Sequence, residues 1–511
     1  MKRAICFLLT FILIFALTGC KKEEVPGSGF EEFNPQLHQG GTVEAYILRP
    51  DTLNPLTTKI DINRRMLSLC FDSLFYIDAQ FNLIPRLAKS GKVTDNGNKF
   101  TIKLREDVNW HNGDHFTAAD VVYTIKNITG DEDSYYYGVL SGLIGKVRTV
   151  DDYTVDIYLN YADSGVAALM TFPIIKKGGG YSKGYTPIGT GAFKFSGNLE
   201  ESPYVLEKNP DWKCGKAYAQ QVNLNILPDK ESAYSAFSTG VIDFVQITKE
   251  DAGKFSVSEN IGYLPAYSNK YNFIGINCNN SLLAEKDVRA VISSAIDRDA
   301  FTSAVYSDYA LGATLPVHPK AYFYEAPPSF VSPASIEKNE GKLFFRTGDD
   351  VHPLEFTLLV NEENGSRCTA ADHIASTLES KGIHITVIKT DFETYKARIN
   401  EGYFDMYMGS TNLSYDINLH PLTGIGGSIN YGNFADENFE KLLNSSFTSE
   451  SVADRTEALH SIQKAFYDTN PHIPLCFENE MIVYNTAKLD NAHTVLSNNL
   501  FSFVIMCCVK E

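Results

Sequence analysis

Residues 354–412 read LEFTLLVNEENGSRCTAADHIASTLESKGIHITVIKTDFETYKARINEGYFDMYMGSTN, and their periods decide the fold. Residues 354–360 form an apolar run of strand length. Residues 369–381 carry helical spacing, with Ile374 and Leu378 four apart, and Gly382 follows as a stop. Residues 383–388 alternate as a second strand. Residues 392–400 read as a second helix, and 404–408 as a third apolar segment. Strand, helix, strand, helix, strand at this spacing predicts a parallel sheet with right-handed crossovers. Ligands of such sheets bind beyond the carboxyl ends of the strands. That makes Gly409, Ser410, Thr411 and Asn412 candidate ligand-binding residues.

A second α/β unit lies earlier in the chain. Residues 222–227 read as a strand, 232–238 as a short helix capped by Gly240, and 241–245 as a strand returning to the same sheet. Residues 42–48 supply a further strand for it. A long insertion, 63–186, has its own β-rich core. The sequence therefore predicts two α/β lobes plus an inserted domain. Residues 287–306 read as one helix with an apolar stripe at Val288, Val291, Ile292, Ala295 and Ile296. Arg289, Asp297, Arg298 and Asp299 are expected at its solvent face.

The 511-residue chain opens Met1-Lys2-Arg3 and is then apolar through Leu17, Thr10 apart. This is the pattern of a secretory signal, too short to span a bilayer well. Leu17-Thr18-Gly19-Cys20 looks like a bacterial lipobox. It implies cleavage after residue 19 and lipidation of Cys20, with the protein anchored at the outer face of the cytoplasmic membrane. Residues 20–36, charged and containing Gly and Pro, read as the lipidated cysteine and a flexible tether. The formal net charge is −17, and two units more negative without Lys2 and Arg3. An acidic chain argues against a nucleic-acid partner. The seven cysteines beyond Cys20 lack any CxxC spacing and read as free thiols. No HExxH or P-loop is present, and a lipid-anchored extracellular hydrolase stands only as the alternative from another class. No cofactor or metal is expected.

The stretch WHNGDHF at 110–116 puts two histidines four apart. A strand at 99–104 precedes it, and a capping box at 117–120 opens a helix after it. The two histidines therefore share no helix face, and the segment reads as a turn, with Asn112-Gly113 suited to a positive φ.

Here the residues carry a resemblance. FTIKLREDVNWHNG at 100–113 with FTAADVVY at 116–123 resembles the signature of the family 5 extracellular solute-binding proteins, the peptide/nickel-type receptors of ABC importers. DTLNP at 51–55, IPRLA at 84–88, PIGTGAF at 187–193, DVRAV with AIDR at 287–298, and PHIPL at 471–475 extend it in order. The resemblance implies a bilobal periplasmic-binding-protein-like α/β fold of type II with three domains. Lobe I would comprise 37–62, 187–268 and 479–511; the inserted domain, 63–186; lobe II, 269–478. Crossovers near 268–272 and 476–480 would form the hinge. The implied function is capture of a small solute, in the first place an oligopeptide, by lobe closure, and delivery to a membrane permease as a monomer. A nickel or other non-peptide solute is the alternative.

In that family a Trp-x-x-Asp in the loop after the third strand holds the ligand's ammonium. Here Ser410 stands where the Trp would fall and Leu413 where the Asp would fall, and Asp416 is the nearest carboxylate. Tyr415 and Asp416 join the candidates. So do Arg49 and Asp51 after the first strand, Tyr136 in the inserted domain, and Phe477 at the second crossover.

Overall fold

The computed structural model describes residues 34–179, 186–255, 259–494 and 498–510. The signal segment, Cys20 and most of the tether lie outside them. Among the described residues no helix is long and apolar enough to cross a membrane.

The stretch at 354–412 folds as its periods indicate. Glu355–Asn361 pairs in parallel with both His384–Thr390 and Met406–Asn412. The helices Gly365–Lys381 and Phe392–Glu401 connect them. Ile374 and Leu378 are fully buried, each contributing roughly 1.5–3 kcal/mol of transfer energy. These strands belong to a seven-stranded sheet whose path also includes Ile261–Ile276, His472–Asn485 and Phe244–Ile247.

A four-stranded sheet holds Thr42–Leu48 in parallel with Gln221–Leu227, then Tyr204–Lys208 and Phe193–Ser196. A third sheet, entirely antiparallel, contains Ala88–Thr94, Lys99–Leu104, Thr154–Leu159 and Ile144–Asp151. It carries the β-rich character expected of the insertion.

Two long antiparallel strands, Ile261–Ile276 and His472–Asn485, run side by side through the molecule. Their register slips between Tyr267 and Tyr271. One half of the pair contacts Phe244–Ile247, and the other contacts Met406–Asn412.

Three sequence expectations are corrected. The strand after the 230–238 helix does not return to the sheet of Thr42–Leu48. It begins at Phe244 and pairs antiparallel with Met481–Tyr484. Asp243 ends the approach by exchanging hydrogen bonds with Glu44, which sends the chain across to the long strand. The 287–306 segment is two helices, Lys286–Ala295 and Arg298–Val305, because Asp297 caps the second through the amides of Asp299 and Ala300. Arg289 and Arg298 are buried rather than solvated. Arg289 donates to the carbonyls of Leu283, Ala284, Thr469 and Asn470, and Arg298 to those of Ile296 and Pro474. Their charge is spent on backbone oxygens that no local pattern identifies.

The 110–116 stretch is a turn. Gly113 has φ +91. His111 lies against the backbone of Gly189 and Gly191, and burial pulls its pKa down to about 4. The capping box of Thr117 and Asp120 is formed.

Candidate functional site

Where the long strand pair slips register, the helix Asp61–Leu67, the segments around 71–76, 135–136 and 498–501, and the seven-stranded sheet line a partly open space. It consists of two chambers, of about 270 Å³ and about 230 Å³. Both are lined by Arg65, Ser268 and Glu480.

The first chamber is aromatic. Tyr76, Tyr135, Tyr136, Tyr267, Tyr415 and Phe501 line it. Tyr135 and Tyr136 pack edge to face at 5.2 Å, and the Arg64 guanidinium lies 3.5 Å above the Tyr135 ring. That cation–aromatic contact is worth roughly 0.5–2 kcal/mol.

The second chamber is basic. Arg65, Lys249, Lys270 and Arg367 line it against Glu250, Glu478 and Glu480, beside Asn412, so that its cations outnumber its carboxylates by one. Lys270 is paired with Glu478 at 2.6 Å. Arg367 meets only neutral oxygens among the described residues, Asn361 Oδ1 at 3.0 Å and Ser410 Oγ at 2.7 Å. It sits in the first turn of the helix Gly365–Lys381, capped by Asn364, where the helix dipole favours negative charge.

Between the chambers runs a chain of charges. Asp61 holds Arg65 Nε at 2.6 Å, and Arg65 Nη1 reaches Glu480 Oε2 at 3.3 Å. Gln246 donates to the same Glu480 oxygen. Burial draws the Arg65 pKa down, but Asp61 and Glu480 more than offset this and raise it. The Arg65 and Glu480 side chains remain 27 % and 36 % exposed. An ion pair this exposed contributes roughly 0–1 kcal/mol, so a ligand can exchange with it at small cost.

The residues singled out from sequence fall in different places. Tyr136 and Tyr415 line the aromatic chamber, and Asn412 lines the basic one. Ser410 accepts from Arg367, one step behind the wall. Thr411 pairs with Tyr271 in the sheet, and Gly409 is buried against Phe273. Arg49 is exposed and lines neither chamber. Asp51 ties its own loop, accepting from Thr52, Thr58 and Lys59. Phe477 does not face the space. It is fully buried, 5.2 Å from the Tyr271 ring and 4.8 Å from that of His318.

Asp416 is turned away as well. It is 4 % exposed, and its carboxyl meets that of Asp163 on the inserted domain. Burial, then the Asp416 charge, raise the Asp163 pKa to about 7 against the opposing field of Arg455.

Arg65, Glu480 and Arg367 were not legible as site residues. Asp61 and Arg65 stand four apart on one short helix, a spacing that surface ion pairs share, and Glu480 lies on a long strand far away in sequence. The structure alone brings them together.

One long strand pair, flanked by Phe244–Ile247 along one half and Met406–Asn412 along the other, with a polar cleft beside the slip in its register, gives the molecule a two-part architecture. The chain belongs to the bacterial extracellular solute-binding proteins, family 5, whose pattern it matches over residues 82–432. It is 24 % identical over 497 residues to the oligopeptide-binding protein AppA of Bacillus subtilis, covering 89 % of each chain. The unliganded open form of MppA, a periplasmic murein tripeptide binding protein, superposes with a TM-score of 0.78 at 19 % identity, over 93 % of this chain and 98 % of that one. A nickel ABC transporter protein from Bacillus halodurans superposes with a TM-score of 0.76 at 17 % identity, over 92 % and 99 %.

Proposed function

We propose that this solute-binding protein captures a short peptide in the two-chambered cleft and presents it to a membrane permease. The observation that carries the reading is the cleft's composition, aromatic at one end and at the other holding Arg367, whose guanidinium meets only neutral oxygens. Such an arrangement suits an extended solute with an apolar side chain and an anionic end. The likeness to AppA supports it. Nickel is the weaker reading, because no cluster of three or more His, Cys, Asp or Glu is present among the described residues.

In this proposal 37–62, 187–268 and 479–511 act as one lobe and 269–478 as the other, closing over ligand about the crossover strands. Tyr136, Asn412 and Tyr415 touch ligand, and Ser410 orients Arg367. The protein works without catalysis, as a monomer anchored through Cys20 on the outer face of the cytoplasmic membrane. Native mass spectrometry of the purified protein tests the ligand class. A co-purified mass of peptide size, released on unfolding, is the expected result. A bound metal complex in its place would sink the peptide reading.

A further inference from the structure

The loop residues that hold a ligand's ammonium in the resembled family are missing here, and Asp416 is buried against Asp163. The carboxylates that line the cleft are therefore the alternatives, and their hydrogen bonds separate them. Asp61 spends both oxygens on Arg64 and Arg65. Asp72 spends both on Trp212 and Thr190. Glu478 holds Asn272 with one oxygen and Lys270 with the other. Glu250 accepts from Ser366 and Thr248.

Glu480 differs. Its Oε2 takes both Arg65 and Gln246, while Oε1 accepts nothing among the described residues. It is also the carboxylate that lines both chambers. Asn479, on the wall of the basic chamber, and Asn499, on the wall of the aromatic one, each keep a buried amide oxygen without a donor. The junction is thus short of donors, and a primary ammonium brings three.

Resting on the peptide reading above, we propose that Glu480 anchors the ammonium of a short zwitterionic ligand whose carboxylate lies at Arg367. The neighbouring side chain then enters the aromatic chamber, and the chain runs from the junction into the basic one. Chambers of about 270 Å³ and about 230 Å³ hold a few residues rather than a long peptide. Glu480 gains a cation while keeping Arg65, and the Arg367 guanidinium gains the charged partner it lacks.

The test is titration calorimetry with one tripeptide library in three forms: free ends, N-acetylated, and C-amidated. Acetylation is expected to weaken binding to the unaltered protein by about tenfold or more, as loss of a hydrogen bond between charged groups does. In Glu480→Gln the free and acetylated libraries should bind within about twofold of each other. Arg367→Gln should erase the penalty for amidation in the same way. An acetylated library that binds the unaltered protein as tightly as the free one overturns the Glu480 assignment and leaves the peptide reading standing. No binding in any form overturns the peptide reading itself. The comparison on the unaltered protein decides the matter even where a variant fails to fold.

Discussion

The cleft interior and its rim meet the same two lobes under opposite rules. Inside, polar groups are left with open valences: Glu480 Oε1, the Arg367 guanidinium, and the amide oxygens of Asn479 and Asn499. At the rim, residues around 80–164 and residues around 322–450 hydrogen-bond directly to each other. Ser164 donates to the Phe447 carbonyl at 2.9 Å, Asn96 to Glu450 at 2.9 Å, and Tyr322 to the Gln80 carbonyl at 2.8 Å. Phe81 packs edge to face on Phe323 in an apolar cluster that draws on both sides. The rim contacts form within the protein itself, whereas the unmatched groups of the interior gain partners when ligand arrives. In the proposed mechanism the difference separates closure from selectivity: the rim governs how often the lobes meet, and the interior which solute they retain.

The largest effect expected from this division is loss of binding without loss of fold. Ser268 lines both chambers and donates to the Glu478 carbonyl at 2.7 Å. Ser268→Trp puts an indole into the space the ligand needs. Affinity for the tripeptide library should fall by about a hundredfold or more, with the melting temperature nearly unchanged. Retained affinity in calorimetry would remove these chambers from the site.

The rim can be broken on its own. Gly97 has φ +86 and approaches the other side so closely that a Cβ there would lie 2.2 Å from the Phe447 carbonyl oxygen. Gly97→Val combines that clash with the left-handed backbone cost of roughly 1–2 kcal/mol. The lobes should part, and small-angle scattering should show a larger radius of gyration for the ligand-free protein. Affinity should fall by about tenfold, while the preference for free over acetylated peptides stays as it was. A change in that preference would show that rim and interior are not separable.

What could be read from the sequence follows the same divide between local and distant causes. The strands and helices of 354–412 were legible because each period is complete within its own segment. The 244–247 strand was assigned to the wrong sheet because its partner, 481–484, lies more than two hundred residues away. Arg289 and Arg298 looked like surface charges because the carbonyls that complete their burial, beside nearby ones, come from the far end of the chain, around 469–474. Within the cleft, Asn412 and Tyr415 near the expected strand end and Tyr136 in the inserted segment could be named. The charged residues Arg65 and Glu480 could not, because an ion pair 415 positions apart leaves no spacing to read. Asp416 was singled out as the carboxylate nearest the loop, and the fold gives it a partner, Asp163, some two hundred and fifty residues earlier in the chain.

That partner supplies the smallest effect, and one with a definite sign. The Asp163 carboxyl, 3 % exposed, faces Asp416, Tyr161 and Arg455. Its pKa is raised to about 7 in the folded protein, against about 4 for a carboxyl in an unfolded chain. Between those values the folded protein holds a proton that the unfolded chain has released, so stability falls as pH rises through the window and is level above it. Protonated, Asp163 donates to Asp416; ionised, the two repel. Asp163→Asn keeps a donor at every pH. Calorimetric melting at about pH 5 and about pH 8 should show the unaltered protein losing stability across the interval and the variant losing less. At the higher pH the variant should be the more stable, by on the order of 1 kcal/mol. Because the seam closes the rim and not the chambers, the same variant should leave the ranking of free, acetylated and amidated peptides untouched. A variant that melts in parallel with the unaltered protein at both pH values would mean that the acid pair ionises freely and the rim owes its closure to Phe81 and the backbone contacts around Gly97.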